Sequence, residues 1–439
     1  MRGLIVLSNL IYITSRECIK WLFCLKPSQE FLLSYIQELS KYNTLYVKMF
    51  QAIALHSELI DEKSNDLFLQ FTDNVPWSSD EIDYETILNI CNEHSLTFEK
   101  KCLPIKSGMI SLVFCLKKND KNVILKLKRK NIDKKLHQGL NDLVSCLMLI
   151  NWLPYIREME LYELIISQMK SFSHQLDFEQ EVLNTNLMFS NFENVSYVIV
   201  PYVYENVTNK YNNAILMSCL QGVSIKNISD ADHLQYAECV LKFAIVSCFV
   251  HGFAHGDLHP GNILFIKDDA VDGESQCRIG IIDMGITYRF DTHFKNQVFE
   301  ITDKFLNGAT SLEVAEQMIA SGLVFTPIEC IAKLPQNEYD DLLRIFTNFL
   351  EKSRCEPTDI IYKLFTSMQQ VISYAKTKNL WKKTGVKISP EMVKLQMSFI
   401  MGCGITNSLC KNKGFTELVN ECMNKIFHLD ILTKFSLEL

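Results

Sequence analysis

HGFAHGDLHPGNILF, residues 251–265, and IIDMG, residues 281–285, hold the side chains on which the reading of the whole chain turns. The first stretch packs three histidines, an aspartate and an asparagine into one loop; the second adds an aspartate beyond a strand-like run. A metal cluster, a hydrolase triad and phosphate handling all compete for such a set. His251, His255 and His259 recur every four residues, a spacing that on a helix would stack imidazoles as zinc ligands. Gly252, Gly256 and Pro260 interrupt that helix, so the stack fails and the histidines are read as scaffolding that fixes the turn. No G-x-S-x-G elbow accompanies the loop, which disfavours a serine hydrolase.

Phosphoryl transfer suits the spacing. Asp257 and Asn262 stand five residues apart, the D-x-x-x-x-N interval that puts a base and a magnesium ligand into one turn of a kinase catalytic loop. Asp283 ends the strand in IIDMG, where a second carboxylate ligand is needed, and Met284-Gly285 takes the place of Phe-Gly. Alone, Asp257 and Asn262 would serve equally well as turn residues. Pieces upstream tip the balance. Lys126 lies inside the apolar strand NVILKLK and needs an anionic partner there. Glu181, in the helical stretch HQLDFEQEVLNTNLMF at 174–189, is that partner, and together they would clamp nucleotide phosphates. The segment AILMSCLQG then joins the two halves, with adenine expected on the main chain near Ser218 to Leu220.

The texture around these motifs changes twice. Residues 1 to about 100 show helical periodicity, broken at NVPWSSDEI. SLVFCLKK, the turn Asn119-Asp120 and NVILKLK read as a β-hairpin, and YVIVPYVY and AILMSCL as further strands of a small mixed lobe of about five. AECVLKFAIVSCFVHGF reads as an apolar helix, NILFI and RIGIID as strands, and residues 291–439 as entirely helical.

Composition bounds the partners. A chain of 439 residues, 48% hydrophobic and 22% charged, is globular, and its net charge of -7 offers no footprint for nucleic acid. Fifteen cysteines, an odd number with no C-x-x-C pair, read as buried thiols of a reducing intracellular compartment. The apolar run of 11 residues from Gly3 to Ile13 is too short to span a bilayer; it reads as an amphipathic helix, with attachment to a membrane surface as the second reading.

Over most of residues 40–290 the motifs resemble the UbiB/AarF/ADCK family of atypical kinase-like proteins. The family's KxGQ helix corresponds to Lys48-Met-Phe-Gln51, its DxVP segment to Asp73-Asn-Val-Pro76, and its alanine-rich nucleotide loop, PxAAASIxQVH, to PIKSGMISLVF at 104–114. Its strand lysine falls on Lys126, its ELDFxxExxN helix on QLDFEQEVLNTN with Asp177, Glu181 and Asn184, its PxVYxxxT stretch on PYVYENVT, and its HxDxHPGN loop on HGDLHPGN. Three signatures depart from the pattern: Phe50 replaces the KxGQ glycine, Lys106, Ser107 and Gly108 replace the alanines, and Gln175 replaces the ExD glutamate.

The resemblance implies an α+β, two-lobed protein-kinase-like fold: a helical extension over 1–100, a β-rich N-lobe over 101–222 and a helical C-lobe over 223–439. It implies ATP (or ADP) with Mg2+ bound between the lobes. Lys126, Glu181, Gly108, Ser218 and Leu220 would hold the nucleotide, and Asn262 and Asp283 the metal. Asp257 would act on the acceptor, with Lys48, Gln51, Gln175 and Asp177 regulatory. The implied activity is that of an ATPase or phosphotransferase linked to an isoprenoid or quinone-like lipid or to a protein complex at a membrane. The alternatives are an aminoglycoside- or choline-kinase-like phosphotransferase and a pseudokinase that binds nucleotide without turning it over.

Overall fold

The structure, a computed structural model, describes residues 75–98, 102–150, 175–268, 276–355 and 360–410, with isolated positions at 8–9, 11–13, 15–17, 19–20, 37, 418 and 421–422. The run from Gly3 to Ile13 is described only in part, and Lys48, Gln51, Asp73 and the turn at Asp272-Gly273 lie outside the described residues. The chain divides into two compact units, Met1–Asn186 with Tyr202–Cys219, and Leu187–Pro201 with Leu220–Leu439.

The first unit is built on a five-stranded sheet. Helix α1 (Tyr84–His94) precedes strands β1 (Thr97–Phe98), β2 (Lys106–Ser107), β3 (Ser111–Lys118) and β4 (Lys121–Lys128), followed by helices α2 (Ile132–Ile150) and α3 (Phe178–Phe192). Strand β5 (Val198–Ile199) pairs in the second unit, and the first closes with helix α4 (Glu205–Lys210) and strand β6 (Ala214–Ser218). The sheet order is β1-β3-β4-β6, with β2 on β3, all antiparallel.

The hairpin legible in the sequence forms with a two-residue turn, Asn119 and Asp120, both at positive φ (47° and 61°). Two left-handed residues match the twist of the flanking strands, and Asn and Asp tolerate that conformation better than most side chains. Alternation along β4 then sorts its side chains. Val123, Leu125 and Leu127 join Leu112, Phe114 and Leu116 of β3 against Ile87 and Ile90 of α1. The even-numbered residues point the other way, and Ile124 packs with Ile215, Met217, Val203, Phe178 and Val182. Lys126 therefore lies on the face that α3 covers.

The second unit holds β5, β8 (Ile263–Lys267) and β9 (Cys277–Ile281) in the order β5-β9-β8, β5 running parallel to β9. YVIVPYVY is thus divided: Val198–Ile199 pair with β9 in the second unit, whereas Val203 bridges Met217 of β6, and the first sheet reaches five strands through β1 and β2. The strands pack on helix α5 (His233–Ile245), which continues through a π-helical turn at Val246–Val250. Asp230–Val250 is long and apolar enough to cross a membrane by length and composition. Its apolar character is accounted for by burial of Tyr236, Ala237, Val240, Leu241, Phe243 and Ala244 in the core of the unit.

Strands β7 (Phe253–His255) and β10 (Thr287–Arg289) pair across the opening motif. Helices α6 (Thr292–Leu306), α7 (Ser311–Ala320), α8 (Ile328–Ile331), α9 (Gln336–Cys355), α10 (Ile360–Lys378), α11 (Leu380–Thr384) and α12 (Pro390–Leu409) follow. They are not all of this region: β11 (Phe325–Thr326) and β12 (Lys387–Ile388) form a short ladder, each too brief to leave a periodic signal. α12 crosses α5 where a Cβ on Gly402 would stand 3.0 Å from that of Ala244.

Phe114 is fully buried at the centre of the first sheet. Phe114→Ala is expected to cost about 3–5 kcal/mol, measured by chemical denaturation of the full chain; a loss under about 1 kcal/mol would contradict this packing.

Candidate active site

In the first unit the ammonium of Lys126 donates to Glu181 Oε1 at 2.6 Å. The lysine side chain is 11% exposed and the glutamate side chain 3%. Helix α3 carries Phe178, Glu181, Val182 and Thr185 on one buried stripe, spaced as i, i+3, i+4 and i+7, so the carboxylate is delivered to the sheet inside an apolar face. Asp177 starts the helix: its Oδ1 accepts from the Gln180 N–H at 2.9 Å, the usual bond of an N-terminal cap. Asn184 Oδ1 accepts from Gln180 Nε2 at 3.0 Å. Gln175 lies half-buried two residues before the cap. The Phe178 ring lies under two cations, 5.6 Å from Lys126 Nζ and 5.1 Å from Lys128 Nζ.

Gly108 lies in the turn between β2 and β3. Its N–H donates to Ser111 O at 2.9 Å, and its carbonyl accepts from Arg129 Nε at 3.0 Å and Arg129 Nη2 at 2.8 Å. Ser218 ends β6; its N–H donates to Tyr202 O at 2.8 Å and its hydroxyl accepts from Tyr202 N–H at 2.9 Å. Its N–H donor and its hydroxyl oxygen thus serve the chain, and Leu220 begins the next segment, in the second unit.

In the second unit the loop from His255 to Asn262 is tied by its own polar groups. His255 Nδ1 accepts from Asp257 N–H at 3.0 Å, and His259 Nδ1 from Gly261 N–H at 3.1 Å. His255 and His259 therefore brace the turn, whereas His251 precedes it. Asn262, buried, donates from Nδ2 to Asp257 O at 3.0 Å, which fixes the orientation of its side-chain amide. The Asp257 carboxylate is half-buried, 3.8 Å from His259 Nε2. Gly256 has no room for a side chain: a Cβ would lie 2.6 Å from Ile286 and 3.1 Å from the Tyr288 ring.

Register brings the second aspartate to this loop. Ile263 pairs with Ile281, and the Ile282 N–H donates to Asn262 O at 3.0 Å, so Asp283 follows directly on the residue opposite Asn262. Asp283 is exposed, at φ 66°, with Oδ1 accepting from Gly285 N–H at 3.2 Å. Aspartate enters the left-handed region more readily than most side chains, as Asp120 does in the hairpin turn. Met284, fully buried among Leu258, Ile263 and Ile281, pins the peptide on its far side. An amide oxygen and a carboxylate suit Mg2+, a hard cation that takes oxygen ligands and keeps several waters; the donor set fits that ion.

Spacing singled out neither Arg129 nor Tyr288. Arg129, 4% exposed, reaches Gly108 O, Pro76 O, Val75 O, Ser107 Oγ and the Glu81 carboxylate. Tyr288 lies over Gly256, and burial, with Asp257 nearby, raises its hydroxyl pKa above the usual 10. One is a charged residue in a lysine-rich run and the other a tyrosine in a short strand, and only tertiary contact distinguishes them.

Burial pushes the His251 imidazole down to about 4, with Lys295 adding to the shift, and burial also lowers His255. Both stay neutral in the folded chain at pH values where the unfolded chain protonates them. Stability is therefore expected to fall as pH drops below about 6.5, with the His251 share fully lost near 4. Denaturation of the wild type against His251→Asn between pH 7 and 4 checks this: the variant should show the shallower dependence. Glu181→Gln, which leaves Lys126 buried without its carboxylate, is expected to cost about 3–5 kcal/mol. The double variant Lys126→Met/Glu181→Leu should recover most of that loss in the same assay.

The sequence matches the ABC1 atypical kinase-like domain over residues 96–316, half of the chain. It is 26% identical over 299 residues to the probable protein kinase UbiB of Pasteurella multocida, covering 65% of this chain and 51% of that one. To the probable protein kinase UbiB of Glaesserella parasuis it is 27% identical over 299 residues, covering 65% and 49%. The chain spans about half the length of the curated relatives it matches. Among solved structures it is similar to the Rv3197–erythromycin complex from Mycobacterium tuberculosis, at 15% identity and a TM-score of 0.46, over 85% of this chain and 90% of that one. Lys126, Glu181, Asp257, Asn262 and Asp283 all fall within the matched span, and Lys48 and Gln51 fall before it.

Proposed function

Because the chain belongs to the ABC1 atypical kinase-like family, with a kinase-like α+β domain of the UbiB type, we propose that it binds ATP or ADP with Mg2+ and acts as an ATPase or phosphotransferase. The observation that carries this reading is the Lys126–Glu181 pair. A buried ion pair contributes little to stability, so a lysine held on a central strand by a helix carboxylate calls for a ligand that uses it. Family membership sets aside the aminoglycoside- or choline-kinase-like alternative.

Roles follow from the chemistry of each side chain. Lys126, oriented by Glu181, contacts the α- and β-phosphates, with the turn at Gly108 beside it. The main chain of Ser218–Leu220 receives adenine, Ser218 through groups other than its N–H. Asn262 and Asp283 hold Mg2+, which when bound neutralises phosphate charge. Asp257 positions the acceptor hydroxyl, or water, and takes its proton. The lobes proposed for these roles are 101–222 and 223–439, preceded by a regulatory extension over 1–100 with Lys48 and Gln51, and Gln175 and Asp177 belong to the same regulatory set. A lipid acceptor of isoprenoid or quinone type, a protein complex and attachment to a membrane surface are proposed on the family resemblance alone.

Titration of the full chain with Mg-ATP and Mg-ADP, together with phosphate release, tests the reading. Lys126→Ala is expected to weaken nucleotide binding by about 10- to 100-fold, and Asp283→Asn to remove its magnesium dependence. Equal binding by the wild type and both variants would sink the nucleotide site. Tight binding by the wild type without phosphate release would assign a binding module instead of an enzyme.

A further inference from the structure

Lys106 takes the place of an alanine in the nucleotide loop of the resembled family, and its direction is set by strand register. It pairs with Val113 on β3, Val113 pairs with Lys126 on β4, and Lys126 pairs with Ile215 on β6. Directly opposed residues of antiparallel strands project from the same face. Lys106 and Lys126 therefore share the face that α3 covers, two strand spacings apart, roughly 9–10 Å between main chains. Lys128 is on this face as well, over Phe178. Three lysines thus leave one sheet face, on the side of Glu181, a concentration of positive charge suited to a polyanion.

Position on an edge strand would ordinarily leave such a lysine loosely placed, yet the residue after it is locked. The Ser107 hydroxyl donates to Val75 O at 2.6 Å and accepts from Arg129 Nη2 at 2.7 Å, while Val75 N–H donates to Ser107 O at 2.9 Å. Arg129 spreads its guanidinium donors over Val75, Pro76, Ser107, Gly108 and Glu81, a fork that lysine cannot reproduce. Its own N–H donates to Ile110 O at 2.9 Å, closing the far side of the turn. The loop is thus fastened both to the strand that carries Lys126 and to residues 75–81.

We propose that Lys106 is a second phosphate-binding cation of the nucleotide site, held in register with Lys126 by the Ser107–Arg129 clamp, and that it favours nucleotides with longer phosphate chains. This rests on the proposed function and adds to it a determinant of phosphate number. Titrating the full chain with AMP, ADP and ATP in the presence of Mg2+ tests it. Lys106→Ala is expected to weaken ATP binding about tenfold and leave AMP unchanged, with Lys106→Arg retaining most of the affinity. Ser107→Ala, which unties the loop from Val75, is expected to weaken ATP by a smaller factor; wild-type ATP affinity in that variant overturns the role of the clamp. If Lys106→Ala binds ATP as the wild type does, or loses AMP as strongly as ATP, the inference fails. Lys126→Ala separates the two levels: its loss beside an unchanged Lys106→Ala defeats this inference alone, whereas no loss in either variant defeats the nucleotide site itself.

Discussion

A lysine on the central strand of a sheet, hydrogen-bonded at 2.6 Å to a glutamate from a helix laid across that sheet, is the constraint around which the first unit is arranged. Desolvating two charges costs several kcal/mol each, and the pair holds only because strand parity and helix periodicity aim both groups at one point. A one-residue slip of β4 would turn Lys126 into the apolar cluster of Leu125 and Leu127, on the face opposite Glu181. The hairpin turn at Asn119-Asp120, the partner strands on each side and the Asp177 cap of α3 all serve to prevent that slip.

The second unit solves a different problem by related means. A stretch that brings the polar side chains of Asp257, Asn262 and Asp283 together in sequence and register does not rest on apolar packing alone. It is stiffened from within: two imidazoles accept from loop amides, the Asn262 amide closes on the Asp257 carbonyl, and Met284 anchors the left-handed Asp283 from the core. Neutral histidines are needed for this, because a protonated ring has no lone pair to offer, and burial is what keeps His255 neutral. The positions of Asp257, Asn262 and Asp283 are thus set by hydrogen bonds and packing from their neighbours, as a preorganised site requires.

Much of this was legible in the order of residues. The hairpin, the apolar helix ending near Val250 and the pair of strands around IIDMG each carry their period or their turn residues locally. The site aspartates and the asparagine announced themselves through a spacing that one turn must satisfy. Other features left no such trace. YVIVPYVY reads as a strand, but which sheet receives Val198 and Ile199 depends on a parallel pairing to β9 some eighty residues later. β11 and β12 are two residues each and acquire their meaning only from one another.

By itself the sequence determined the chemical inventory and its spacing: a strand lysine, a helix glutamate, a D-x-x-x-x-N turn and a strand-terminal aspartate, because such patterns are short-range and their residue types are demanded by the chemistry. Only the tertiary structure decided which lysines share a face, that Arg129 fastens the loop beside them, and that Asp283 adopts a left-handed backbone opposite Asn262. The physical reason is that sheet register and buried hydrogen bonds are made between segments distant in the chain. A guanidinium in a lysine-rich run becomes a clamp only when five groups from three stretches of chain close around it.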